Sequence, residues 1–340
     1  MKNGISNMVI LLPGFILALC IAAVAKVIES LLSIHIIGAS VIALFTGMII
    51  NSFWHPAWAA PGLKFTSKKI LKFAIILLGA SLSVGIIVSV GKLSLIVMFF
   101  TLLTCFGGGY FIGKVLGLNW KLSNLISAGT GICGGSAIAA IAPVIDAEDK
   151  DIAYAMSATF LFDMAMIVLF PIMGRALGLS DEAYGLWTGT AVNDTSSVVA
   201  AGYAFSEGGG DFATMVKLTR TLAIIPTVLV FAFINLRLAR KKHMEISGTK
   251  VNIRGVFPWF ILGFLALAAI NSTGIIPAEI SRIAKDASKF LMVTALAAIG
   301  LGTSFKDMKK AGVNPMLHGF IISVLVVVVA IAVEWCMGLV

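Results

Sequence analysis

Apolar runs of about 20 residues, the helical length that crosses a bilayer's hydrocarbon core, recur from one end of this sequence to the other. In lipid such a run must satisfy its backbone polar groups internally, which restricts it to helices when no closed barrel is available. The composition agrees. Of 340 residues, 59% are hydrophobic and 12% charged, about half the charge of a soluble domain, and mean hydropathy is +1.03. A soluble enzyme, a secreted disulfide scaffold and a disordered tail are excluded. The prediction is an all-α polytopic membrane protein. It forms one unit over residues 1–340, because no linker rich in Pro, Ser or charge divides it.

About eleven spans are predicted: Met8–Ala25, Leu31–Ile50, Ile70–Val90, Ser94–Gly113, Leu122–Val144, Ile152–Arg175, Tyr184–Phe205, Phe212–Leu236, Val256–Asn271, a short Phe290–Gly302, and Leu317–Gly338. With the N-terminus in the cytoplasm, about 17 Lys and Arg lie inside, about 6 outside and about 2 within a span. The opposite orientation inverts that ratio. The expected location is therefore the cell inner (plasma) membrane, multi-pass, N-terminus in and C-terminus out. The basic loop Arg237-Leu238-Ala239-Arg240-Lys241-Lys242 then reads as a topology determinant, and the net charge of +9 needs no nucleic acid. Trp54, Trp58, Trp120, Trp187 and Trp259 fall near predicted span ends, as an interfacial belt would.

Lys2, the apolar stretch after it and Ala23-Val24-Ala25 resemble a cleavable signal peptide, yet similar segments follow directly and a retained first span is expected. Cys20, Cys105, Cys133 and Cys336 lie in apolar segments without metal-ligand spacing, and read as small lipid- or helix-facing residues. His35, His55, His243 and His318 are scattered, which suits solvated or packing roles. Neither a metal nor a cofactor is expected.

Internal echoes suggest an ancient duplication. The segment from Ala128 to Ala140, AGTGICGGSAIAA, is matched about 60 residues later by TGTAVNDTSSVVA from Thr188 to Ala200. Asp151-Ile152-Ala153 then matches Asp211-Phe212-Ala213. Weaker echoes link Ile75–Ser81 with Ala298–Ser304, and Leu12–Leu17 with Phe257–Leu262. Gly129, Gly131, Gly134 and Gly135 each cost about 1 kcal/mol relative to Ala in a continuous helix. Close helix packing is one reading of them. A discontinuous helix, whose backbone groups line a site near the midplane, is the other. The second copy carries Asn193, Asp194, Thr195, Ser196 and Ser197, too many polar groups to face lipid, and favours a site.

Asp163, Asp194, Lys217 and Arg220 are predicted within spans, and Glu334 close enough to a span end to reach the interface. At about 2.5–3.5 kcal/mol each, the first four together cost on the order of 10–14 kcal/mol. They require partners. Lys217 and Arg220 share a helix face. They either neutralise Asp163 and Asp194 as buried ion pairs, with Lys217 alternatively snorkelling, or hold an anionic substrate. Asp194 could then carry a coupling proton or ligate Na⁺, and Asp163 is a second candidate for coupling or a counter-ion.

Enzyme signatures are fragmentary. Gly208-Gly209-Gly210-Asp211 fits the Gly-x-Gly-Asp of intramembrane aspartyl proteases, which would need Asp163 to converge on Asp211. Gly108-Gly109-Tyr110-Phe111-Ile112-Gly113-Lys114 lacks the Ser/Thr and preceding strand of a P-loop.

Three ordered motifs carry a family resemblance over nearly the whole chain: Gly131-Ile132-Cys133-Gly134-Gly135-Ser136-Ala137-Ile138-Ala139-Ala140, Gly189-Thr190-Ala191-Val192-Asn193-Asp194-Thr195, and Val216-Lys217-Leu218-Thr219-Arg220. They resemble the YeiH-like sulfate exporter family. That resemblance implies kinship with the cation/proton antiporter and anion transporter superfamily, with inverted repeats and crossed, broken helices as in bile-acid symporters. Asn193-Asp194 also resembles the Asn-Asp pair of some sodium/proton antiporters. The expected function is secondary export of a small inorganic or sulfonate anion (sulfate, sulfite or sulfonate-like) coupled to H⁺ or Na⁺. Gly131, Cys133, Gly134, Gly135, Ser136, Asn193, Thr195, Ser196, Lys217 and Arg220 would bind substrate, and Asp194 and Asp163 would couple ions. A sodium/proton antiporter is the alternative, and a non-transporting membrane scaffold or sensor the alternative from another class. The lipid bilayer is a partner, nucleic acid is not, and a homodimer is compatible with the sequence.

Overall fold

The computed structural model describes residues 2–31, 39–54, 57–241, 259–303 and 312–340. His35, His55, His243, the end of the basic loop at Lys242, Phe257-Pro258 and Ser304 lie outside the described residues. Among the described residues the fold is helical, without strands. Five helical stretches among the described residues are long and apolar enough to cross a membrane: Ile10–Leu31, Val84–Val115, Lys150–Ala176, Glu207–Asn235 and Val313–Cys336.

The helices form two bodies. The first, here the scaffold, contains α1 (Lys2–Leu31), α2 (Ala39–Phe53), α3 (Ala60–Phe65), α4 (Leu71–Leu78), α14 (Trp259–Ser272) and α15 (Ala278–Leu301). Its helices approach closely because small residues face each other across them. A Cβ at Gly300 would lie 2.1 Å from the Leu44 carbonyl oxygen, and one at Gly47 2.6 Å from that of Ala297. In lipid, where burial of apolar surface drives little association, such close contact supplies the dispersion energy that holds helices together.

The second body contains α5 (Val84–Leu103), α6 (Gly109–Val115), α7 (Trp120–Ala128), α8 (Gly135–Ile141), α9 (Asp149–Ala176), α10 (Asp181–Ala191), α11 (Thr195–Phe205), α12 (Glu207–Thr221), α13 (Ile224–Lys241) and α16 (Val313–Cys336). Two predicted spans are not crossings. Segment 122–144 turns back on itself, so that the Lys121 ammonium donates to the Asp146 carbonyl at 2.5 Å. Segment 184–205 does the same. The Tyr184 hydroxyl donates to the Ala201 carbonyl at 2.9 Å, its ring stacks on Phe205 at 3.8 Å, and Ser206 Oγ donates to Asp181 at 2.5 Å. Each is a helical hairpin, α7–α8 and α10–α11, made of arms too short to cross.

This corrects the run of eleven spans. The two hairpins open at opposite ends of α9, and their tips meet at its middle. Trp187 is corrected with them: its hairpin carries it inward, where it is buried against Phe170 and donates to the Val327 carbonyl at 2.9 Å. Glu334 is likewise buried and does not reach an interface. Trp54, Trp58 and Trp259 are exposed as expected, and Trp120 is half-buried. The four cysteines are free, Cys105 and Cys133 buried and Cys20 and Cys336 exposed.

Gly300→Val therefore should force α15 from α2 and cost about 1–3 kcal/mol, read as a lowered unfolding temperature of the detergent-purified protein. Gly107→Ala, where an added Cβ meets nothing within 4 Å, should leave that temperature unchanged or raise it.

Candidate functional site

A helical hairpin that turns at mid-depth exposes the last carbonyls of its first arm and the first N–H groups of its second. Each such group left unpaired in an apolar setting costs about 1–3 kcal/mol. The site is organised around this debt of the backbone. In the first hairpin, α7 widens into a π-helical turn, Gly129–Cys133, and breaks at Gly134. Gly134 has φ +62° and ψ −133°, a conformation that a residue with a Cβ rarely adopts. The helix restarts at Gly135. In the second hairpin, α10 ends at Ala191, Val192 and Asp194 are extended, and α11 begins at Thr195.

Lys217 and Arg220, one turn apart on α12 and buried, reach the carbonyl ends of both first arms. The Lys217 ammonium donates to the carbonyls of Ile132 at 2.8 Å, Val192 at 3.0 Å and Asn193. An ammonium has three donors, so all are used. Arg220 donates through Nε to Gly131 at 2.7 Å, and through its terminal nitrogens to Val192 at 3.1 Å and to Thr130. Three of its five N–H groups are thereby occupied. Positive charge at helix C-termini also offsets the helix dipole.

The carboxylates take the opposite end of the second hairpin. Asp163, buried at the middle of α9, accepts the backbone N–H of Asn193 at 2.9 Å and of Asp194 at 3.0 Å, one on each oxygen. Asp194 is the N-cap of α11: its Oδ2 accepts the Ser196 N–H at 2.9 Å and the Ser196 hydroxyl. Neither cation lies within ion-pair distance of either carboxylate among the described residues. The expected alternatives of direct ion pairing and of a snorkelling Lys217 are both replaced by pairing to backbone.

The remaining predicted residues fall around the two tips. Gly131 and Cys133 are buried in the π-helical turn, Cys133 close to Lys217. Asn193 and Ser196 are buried, and the Asn193 side-chain amide has no hydrogen-bond partner among the described residues. Asp194, Thr195 and Gly135 are half-buried and Ser136 is exposed, forming the accessible side of the junction. A Cβ at Gly134 would sit 3.1 Å from Asp194 Oδ1. The unbonded oxygen of Asp194 thus faces the first hairpin's break. Asp211 is elsewhere, paired with Lys285 at 2.6 Å, so Asp163 and Asp211 do not form a protease dyad. The backbone carbonyls of Thr130, Ile132 and Val192 belong to the site yet carry no side-chain signal in the sequence.

Lys217→Met should strip these carbonyls of their ammonium and cost about 3 kcal/mol or more, and Asp163→Asn about 1–3 kcal/mol. Ser136→Ala, at the exposed rim, should change stability by less than about 0.5 kcal/mol. Unfolding of the purified variants measures all three.

Comparison with known proteins gives relatives along the whole length. Residues 13–319 match the family described as "Conserved hypothetical protein 698". The chain is 57% identical over 334 residues to a UPF0324 membrane protein of Clostridium tetani (strain Massachusetts / E88), covering 96% of this chain and 97% of that one. It is 41% identical over 337 residues to a UPF0324 membrane protein of Streptococcus pyogenes serotype M18, covering 96% and 98%. A UPF0324 membrane protein of Streptococcus pneumoniae serotype 4 is 38% identical over 313 residues, covering 89% and 91%.

Proposed function

We propose that this chain, which belongs to the conserved hypothetical protein 698 family of UPF0324 membrane proteins, is a secondary transporter whose coupling cation, H⁺ or Na⁺, binds at Asp194. One observation carries the reading. Of the four charges at the hairpin tips, Asp194 alone combines partial exposure with an oxygen that takes no bond from the Ser196 cap. Lys217 has no donor left, and Arg220 and Asp163 are buried against backbone. An ionisable group kept at membrane depth, accessible and with one oxygen left free by its capping role, has the chemistry of an ion carrier.

The architecture supports transport. Two hairpins of opposite sense around a common centre suit an inverted repeat, with α7–α9 and α10–α13 as the paired units. In this reading roughly nine helical crossings pass through the plasma membrane, with the N-terminus cytoplasmic, and the two hairpins enter from opposite faces. The hairpin body moves against the scaffold to expose Asp194 to each side in turn.

A second reading keeps a small anion (sulfate, sulfite or a sulfonate) as the transported substrate. It rests on the two N–H groups of Arg220 that no carbonyl occupies.

The test is flux in proteoliposomes under imposed pH and Na⁺ gradients, with sulfate, sulfite, taurine and Na⁺ as solutes. Asn caps a helix as well as Asp, so Asp194→Asn should fold with its unfolding temperature preserved. Gradient-driven flux should fall at least about tenfold, because the amide neither binds a proton nor offers a charge to Na⁺. Undiminished gradient-driven flux in that variant removes Asp194 from coupling.

A further inference from the structure

Away from the tips, the scaffold and hairpin body meet through a charged cluster that the ion site does not use. Glu207 and Asp211 lie one turn apart on α12, and Lys285 and Lys289 one turn apart on α15. Lys285 Nζ is 2.6 Å from Asp211 Oδ2, and Lys289 Nζ is 2.7 Å from Glu207 Oε1. The other Asp211 oxygen accepts the Tyr203 hydroxyl at 2.6 Å, and the Lys289 ammonium lies 5.9 Å from the centre of the Tyr203 ring. Tyr203 belongs to α11, so the cluster grips both the end of the second hairpin and the start of the next helix.

These elements are packed as one piece. The Gly202 and Gly210 backbones approach so closely that a Cβ on Gly202 would lie 2.9 Å from the Gly210 Cα. The Ser206 hydroxyl accepts the Gly209 N–H at 2.8 Å, tying the turn between them. A pull at Asp211 is therefore transmitted along α11 to its N-cap, Asp194. The rest of the interface between the bodies differs in kind. Beyond the chain's own joint, where Asn271 and Ser272 bond the backbone at Leu82 and Val84, α2 and α11 bring apolar residues together, with Leu44, Met48, Val198 and Val199 in one core cluster.

We propose that Lys285–Asp211 and Lys289–Glu207 form an ionic latch between the bodies, which closes the second hairpin against α15 and opens when Asp194 changes sides. The inference rests on the transporter reading and assigns a gate to the same site. The two rungs differ in accessibility. The Glu207 side chain is 76% exposed, whereas Asp211 is 12% exposed and braced by Tyr203. The outer rung is the weaker one, since water screens exposed pairs. Both rungs lie at the end of the helices where α12 begins, so their separation delivers the charges to water rather than to lipid. Such a contact can open and reclose, whereas a buried unpaired charge could not.

A reporter independent of substrate tests this. In a Cys20→Ala/Cys336→Ala background, Thr195→Cys places a thiol beside Asp194, and a membrane-impermeant maleimide added on the latch side reads its accessibility. Lys285→Gln and Asp211→Asn should each raise the labelling rate about fivefold or more, and Glu207→Gln about twofold. The charge swap Lys285→Asp/Asp211→Lys should return the rate toward that of the intact latch. Tyr203→Phe, which keeps the ring and loses one hydrogen bond, should give an intermediate increase with the fold preserved. Unchanged labelling in folded Lys285→Gln and Tyr203→Phe proteins overturns the latch, as does a swap that fails to restore the rate. The two proposals fail separately. Full flux in Asp194→Asn alongside a restored swap overturns the coupling role and leaves the latch, and abolished flux with unresponsive labelling does the reverse.

Discussion

Two helical hairpins that turn at the centre of a membrane protein leave the carbonyls of their first arms buried, and α12 is arranged to supply them with partners. Lys217 and Arg220 take the task at the carbonyl ends of both first arms, and Asp163 and Asp194 at the N–H end of the second hairpin. Two cations and two carboxylates sum to zero without touching. The balance is struck through the dipoles of the broken helices, positive side chains at the C-termini of the first arms and negative ones at the N-terminus of α11. A direct ion pair would have left the backbone unsatisfied, and in lipid that is the larger cost.

The arrangement is asymmetric in a way that bears on the proposed transport. The first arms, α7 and α10, are locked at their carbonyl ends by α12, whose side chains have few donors to spare. The second arms begin on the accessible side, with Ser136 exposed near the start of α8 and Asp194 half-buried at the start of α11. The tips are thus hydrogen-bonded on one side and chemically available on the other. A transported ion needs both conditions, because a site must keep its geometry while it is desolvated and yet be reachable. The charged contacts with α15 lie at the far end of the same hairpin, joined to Asp194 by the length of α11.

Much of this was legible in the residues. The glycine run announced a break, and the break falls at Gly134, whose positive φ only glycine adopts readily. The polar stretch Asn193–Ser197 announced a second, at the matching point of the echo. The demand that Asp163, Lys217 and Arg220 have partners was also correct. Their identity was not recoverable, because a backbone carbonyl has no letter in the sequence. Charge statistics could not reveal the hairpins either. Turning two spans into hairpins reverses α9 alone, which exchanges Arg175 for Lys150 between the faces and keeps the basic residues at about 17 to about 6. Trp187 and Glu334 were read as interfacial from their distance to predicted span ends, a measure that fails once a segment folds back or a neighbour covers it.

The sequence by itself determined that this chain is a helical membrane protein, where its helices can break, and which charges need compensation. Those properties are local. They follow from hydropathy summed over about 20 residues, from the φ angles open to glycine and from the cost of burying a charge. Tertiary structure alone decided whether a broken segment continues across or turns back, and which backbone atoms receive each charged side chain. A crossing and a hairpin have the same composition and the same helical propensity. What separates them is whether Lys217, Arg220 and Asp163, brought in from two other helices, stand ready to satisfy the groups that the turn exposes.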